Sequence, residues 1–248
     1  MIAEGRPGAL LLHGLTGSPQ SLGRLPAVLS EAGFRVSVPV VAGHCATLDE
    51  LERTSWDDWL ATAEEAYREL SASCERVVVC GLSVGGSLAC RLAADHAGVA
   101  GVVAINPFVD PPAESFREAV RGVIGAGFPR APGITGDLAD PDAHEEGYAE
   151  LPLGALLSLC EGLDDLLERL PSISCPVLIV TSRVDHVVPP VSSDLLAERV
   201  SGPVERVWLD RSYHLAPLDH DRAEVEAVTV EFARKVTAGS PGSPPTIA

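Results

Sequence analysis

In Gly81-Leu82-Ser83-Val84-Gly85-Gly86 a serine stands between glycines. A serine hydroxyl is a weak nucleophile: it needs a base to take its proton, and the base needs an acid to orient it. Asp185, in Thr181-Ser182-Arg183-Val184-Asp185-His186, and His214, in Arg211-Ser212-Tyr213-His214, supply that acid and base further along the chain. Together the three side chains predict a two-step acyl transfer. Ser83 attacks a carbonyl while His214 takes its proton, and water activated by the same histidine then releases the acid. Two further histidines compete for the role of base. His186 adjoins Asp185, and His220 falls in Leu218-Asp219-His220-Asp221, which reads as the start of a helix. Asp219 competes as the acid but follows no strand of its own.

Residues this far apart meet only if the chain between them folds back. Short apolar, β-rich runs lie at 9–13, 35–41, 76–82, 99–105, 177–181 and 204–210, separated by helical patterns. One helix is expected over 56–71, with Ser55 as its N-cap. Six strands alternating with helices predict an α/β protein with a mostly parallel sheet covered on both faces. Ligands of such sheets bind beyond the carboxyl ends of the strands. Ser83, Asp185 and His214 all stand just after a strand, and so does the loop His13-Gly14-Leu15-Thr16-Gly17. Residues 107–171 break the rhythm with helical pieces and no convincing strand, which predicts a helical cap inserted into a core of 1–106 and 172–238. Phe108, Phe116 and Leu156 are candidates for its apolar, substrate-facing surface. The Gly/Pro/Ser-rich end, 239–248, is expected to be disordered.

Composition narrows the functional classes. The net charge of −17 repels phosphate backbones and anionic lipid, which argues against nucleic acid as a partner. No run of 18 apolar residues exists, so no membrane-spanning segment is expected. The N-terminus passes from Met1 to Ala9-Leu10-Leu11-Leu12 without the charged and apolar regions of a secretion signal, and the expected location is the cytoplasm. The cysteines, Cys45, Cys74, Cys80, Cys90, Cys160 and Cys175, form no C-x-x-C pair and are expected to be reduced and mostly buried. No His/Cys ligand spacing appears, so neither a metal nor another cofactor is expected.

Taken together, the chain resembles an α/β-hydrolase, and more narrowly the small bacterial carboxylesterases and monoacylglycerol lipases. The resemblance rests on His13-Gly14-Leu15-Thr16-Gly17-Ser18-Pro19, Gly43-His44, Trp56-Asp57-Asp58-Trp59, Gly81-Leu82-Ser83-Val84-Gly85-Gly86, the Asp185 segment with Pro189, and His214 followed by Leu218-Asp219. It implies Ser83 as nucleophile, Asp185 as acid, His214 as base, and the backbone N–H groups of Leu15 and Val84 as the oxyanion hole. His13 is expected to brace the oxyanion loop. The chain departs from the pattern at Cys45, where Gly-His-Gly is common, and at Tyr213, where a glycine often precedes the histidine; Tyr213 would narrow the entrance. The implied substrate is a small ester with an apolar acyl chain. A thioesterase, a carbon–carbon bond hydrolase and a non-catalytic ligand-binding member of the fold are the alternatives.

Overall fold

A computed structural model describes residues 6–238, so the Gly/Pro/Ser-rich end lies outside the described residues. In chain order the strands are β1 (Gly8–Leu12), β2 (Arg35–Ser37), β3 (Val77–Leu82), β4 (Val99–Ile105), β5 (Arg130–Pro132), β6 (Glu150–Pro152), β7 (Val177–Ser182) and β8 (Val204–Leu209). The α-helices are α1 (Leu25–Glu31), α2 (Leu48–Leu51), α3 (Trp56–Ser71), α4 (Val84–Asp95), α5 (Glu114–Gly125), α6 (Leu153–Arg169), α7 (Val191–Arg199) and α8 (Arg222–Thr237). Six strands pair in parallel in the order β2-β1-β3-β4-β7-β8.

Side chains alternate across a strand, and this sheet uses both faces. Leu10, Leu12, Val77, Val79, Val177 and Ile179 point into one apolar cluster with Trp59, Leu88 and Leu163 of α3, α4 and α6. Their neighbours Ala9, Leu11, Val78, Cys80, Leu178 and Val180 point into a second cluster with Leu25 and Leu29 of α1 and Val225 and Phe232 of α8. Burial on both faces is why the central strands read as continuous apolar runs. At the edge, β8 carries the exposed Glu205 and Arg206, and such charges discourage pairing with another chain.

Helix α3 begins where the sequence places it. The Asp58 carboxylate accepts from the Ser55 N–H at 2.9 Å and from its hydroxyl at 2.7 Å, closing the first turn. Residues 107–171 hold α5, α6 and an antiparallel pair of three-residue strands, β5 and β6. The pair corrects the expectation that this stretch holds no strand. Each strand ends in proline and spans three residues, too few to show a period. Leucines 159, 163 and 166 of α6 belong to the same apolar cluster as Trp56 of α3 and Leu92 of α4. Arg91 of α4 also pairs with Asp165 of α6. Among the described residues no helix is long and apolar enough to cross a membrane.

Candidate active site

Ser83 occupies the turn between β3 and α4 with φ 56° and ψ −121°. A non-glycine residue in that region stores roughly 1–3 kcal/mol, which the surrounding structure must hold in place. Here the Ser83 N–H donates to the Ile105 carbonyl at 2.9 Å. The flanking glycines make the turn possible by their missing side chains. A Cβ on Gly81 would lie 2.0 Å from the Gly85 carbonyl oxygen, and one on Gly85 would lie 2.1 Å from that of Leu12.

His214 and Asp185 meet as the sequence predicts. His214 Nδ1 lies 2.8 Å from Asp185 Oδ2, and the two side chains are 6% and 1% exposed. The other oxygen, Oδ1, accepts from the N–H groups of Val187 at 2.9 Å and Val188 at 2.8 Å. Both oxygens of the acid are therefore committed, and the one facing the ring keeps the proton on Nδ1, leaving Nε2 free to accept another. Ser83 and His214 line one small cleft, of about 20 Å³, with Gly14, Leu15, Leu82, Ile134 and Leu215. No hydrogen bond joins Ser83 Oγ to His214 among the described residues; such contacts commonly tighten only when substrate arrives. Asn106, at the end of β4, donates from Nδ2 to the His214 carbonyl at 2.7 Å and to Ser182 Oγ at 3.0 Å. It thereby links the histidine loop to the end of β7.

Leu15 lines the same cleft, and Val84 is the first residue of α4. A first-turn N–H has no intrahelical partner, so that of Val84 is free for an incoming oxyanion. Two buried histidines hold the loop around Leu15. His13 Nδ1 donates to the Gly14 carbonyl at 3.0 Å, and Nε2 accepts from the Val41 N–H at 3.1 Å. His44 Nε2 accepts from the Thr16 N–H at 3.2 Å. Both rings must stay neutral to accept these bonds. Burial, with His44 nearby, pushes the pKa of His13 down to about 4, and burial lowers that of His44 as well.

The unfolded chain takes up protons on these rings near the ordinary histidine pKa, the folded chain only well below it, so folding is disfavoured as pH falls through that interval. For His13 the interval runs from 6.5 to about 4 and corresponds to a loss on the order of 3 kcal/mol. Urea melts in the upper part of that range, above about pH 5 where most carboxylates are still ionised, should already show stability falling. A flat profile there would contradict the neutral-ring assignment.

The competing residues have other partners. Asp219, fully buried, accepts from four backbone N–H groups, those of Ala139, Asp140, Tyr213 and His220, at 2.8–2.9 Å. Burial pushes its pKa up, but the four donors outweigh that and hold it below the usual carboxylate range. His186 pairs with Asp137, and His220 lies near Asp140. The apolar candidates are not among the residues lining the cleft, although the Phe108 N–H donates to the Ser83 carbonyl at 3.4 Å. Phe108 and Leu156 are half-buried against the main apolar cluster, and Phe116 is exposed on α5. Tyr213 turns its ring edge-on to His186, with 4.5 Å between ring centroids. Two residues that line the cleft carry no local signal in the sequence: Ile134, and Glu145, which accepts from Ser21 Oγ at 2.8 Å and the Gly136 N–H at 2.9 Å.

A parallel sheet wrapped in helices, with a serine on the sharp turn after its central strand and a histidine–aspartate pair beyond later strands, defines an α/β-hydrolase. Within that fold the chain belongs to the hydrolase family described as serine aminopeptidase, S33, whose model matches residues 6–221. It is 39% identical over 237 residues to the thermostable monoacylglycerol lipase of Bacillus sp. (strain H-257), covering 94% of this chain and 93% of the relative. It is 26% identical over 237 residues to a carboxylesterase of Bacillus subtilis (strain 168), covering 94% of each. A solved structure described with LipS and LipT, two metagenome-derived lipolytic enzymes, superposes with a TM-score of 0.88 at 32% identity, covering 94% of this chain and 95% of that one.

Proposed function

We propose that Ser83, His214 and Asp185 form the triad of a serine hydrolase that cleaves carboxylic esters with short- to medium-chain acyl groups, monoacylglycerols among them. The observation that carries this reading is the buried 2.8 Å pair of His214 and Asp185 beside a serine held on a strained turn in the same cleft. In the first step Oγ attacks the ester carbonyl as His214 Nε2 takes its proton. The carbonyl oxygen, now negative, is received by the N–H groups of Leu15 and Val84. The C–O bond to the alcohol breaks as His214 returns the proton to the leaving oxygen. Water then repeats the sequence on the acyl-enzyme, releasing the acid and restoring Ser83.

The apolar walls given by Leu15, Ile134 and Leu215 favour an acyl chain, and the chain's negative charge favours an uncharged ester over an anionic one. Residues 107–171 act as a cap on the core of 1–106 and 172–238, contributing Ile134 and Glu145 to the cleft. The six cysteines are all free, which fits a reducing compartment such as the cytoplasm. The relatives' activities support ester hydrolysis in particular.

The test is a substrate panel of p-nitrophenyl acetate, butyrate, octanoate and palmitate, a monoacylglycerol, an acyl thioester and an aminoacyl anilide. The expected result is fastest turnover on the butyrate or octanoate ester, with covalent labelling of Ser83 by a fluorophosphonate. A protein that favours the thioester or the anilide, or that takes no label, would not be the enzyme described.

A further inference from the structure

The backbone of His214 is gripped from two directions. Its carbonyl is held by Asn106, which stands at the end of β4 in the core. Its N–H donates to Asp137 Oδ2 at 3.1 Å, and Asp137 belongs to the segment between β5 and β6. The same oxygen accepts from the His186 N–H at 3.2 Å, while Oδ1 lies 2.8 Å from His186 Nδ1. The Asp137 carbonyl accepts from the Leu215 N–H at 3.2 Å. One residue thus ties the loop that carries Asp185, through its neighbour His186, to the loop that carries His214, through His214 itself and Leu215.

The Asp137 side chain is 15% exposed, so water competes little for these bonds. It does not line the Ser83 cleft. It makes no hydrogen bond to Asp185, whose Oδ1 accepts from Val187 and Val188 and whose Oδ2 faces His214 Nδ1. Its bonds reach the site through the backbone of His214 and through His186, the neighbour of Asp185.

We propose that Asp137 is a positioning residue for His214, supplied by the 107–171 segment, which sets the separation of the base from Ser83. This rests on the triad reading above. A reacting group misplaced by about 1 Å can cost on the order of 100-fold in rate, and without the Asp137 carboxylate the His214 N–H loses its acceptor, leaving the residue held by Asn106 and by the bonds of its neighbours Tyr213 and Leu215. Because the anchor comes from outside the core sheet, a displacement of this segment would also loosen the base.

The test compares Asp137→Ala, Asp137→Leu and Asp137→Asn on p-nitrophenyl butyrate. Asparagine keeps one carbonyl oxygen for the N–H groups of His214 and His186; alanine keeps none, and leucine fills the volume without an acceptor. Alanine and leucine are expected to lower kcat by about 10- to 100-fold with KM changed less than about twofold, and asparagine to restore kcat to within about threefold of wild type. Should the alanine variant melt below the assay temperature, the leucine variant is read in its place. Wild-type kcat without the acceptor overturns the proposal. So does an asparagine variant as slow as leucine, or a change confined to KM. Ser83→Ala is assayed alongside: an active Ser83→Ala sinks the triad reading itself, whereas an inactive one beside a fast Asp137→Leu sinks only the positioning role.

Discussion

Replacing Ser83 by alanine is expected to lower kcat/KM on p-nitrophenyl butyrate by at least about 10⁴-fold and to abolish fluorophosphonate labelling. The loss is large because no other hydroxyl in the cleft has the same position. Thr16, its neighbour there, donates its own hydroxyl to the Leu15 carbonyl at 2.6 Å and stands on the loop after β1 rather than on the turn after β3. Stability should change little, since the backbone strain at φ 56° is the same for alanine and the serine side chain anchors nothing in the fold. The variant should therefore melt within a few degrees of wild type. Turnover retained in a folded variant would remove Ser83 from the mechanism.

Asp185→Asn should be nearly as severe, about 10⁴-fold in kcat, and unlike the first it should also destabilise. The carboxylate accepts on both sides: two backbone N–H groups on Oδ1 and the imidazole N–H on Oδ2. Asparagine can offer an oxygen to only one side. If its amide nitrogen faces the ring, His214 must hold its proton on Nε2, and it can no longer take one from Ser83. If the nitrogen faces Val187 and Val188, three N–H donors are buried against each other. Leaving such groups unsatisfied costs roughly 1–3 kcal/mol. Steady-state kinetics and a urea melt read both effects, and a variant that keeps wild-type kcat would rule out Asp185 as the orienting acid.

What the sequence made legible shares one property. The four central strands β1, β3, β4 and β7 are buried on both faces, so their signal is continuous over five to seven residues, whereas the edge strands β2 and β8 show it only in part. Ser83, Asp185 and His214 could be singled out because each follows a strand of the parallel sheet, whose carboxyl ends lie along one edge. The elements that escaped notice are short or irregular: α2 has four residues, and β5 and β6 have three each, with prolines. The supporting polar residues escaped for a different reason. Asn106, Asp137 and Glu145 are ordinary loop residues in sequence. Their roles depend on backbone groups or side chains tens of residues away, His214 for the first two and Ser21 for the third, and no local pattern encodes that. Asp219 reads as a rival acid, but two of its four N–H partners, those of Ala139 and Asp140, lie far back along the chain. Hydrophobicity alone marks Phe108 and Phe116 as apolar without saying which surface each meets: the first is half-buried against the core and the second exposed.

The four donors of Asp219 have a bearing on enzyme engineering. Two of them belong to residues 139 and 140 and two to residues 213 and 220, so one buried carboxylate stitches both stretches together. The 107–171 stretch is therefore not a cassette. A chimera that exchanges it whole, to graft another enzyme's substrate preference, would leave the fully buried Asp219 with half its partners. Transplants that stop short of 137–140, or that bring two backbone donors to the same place, should fold; those that cut through it should yield little soluble protein whatever their new pocket contains.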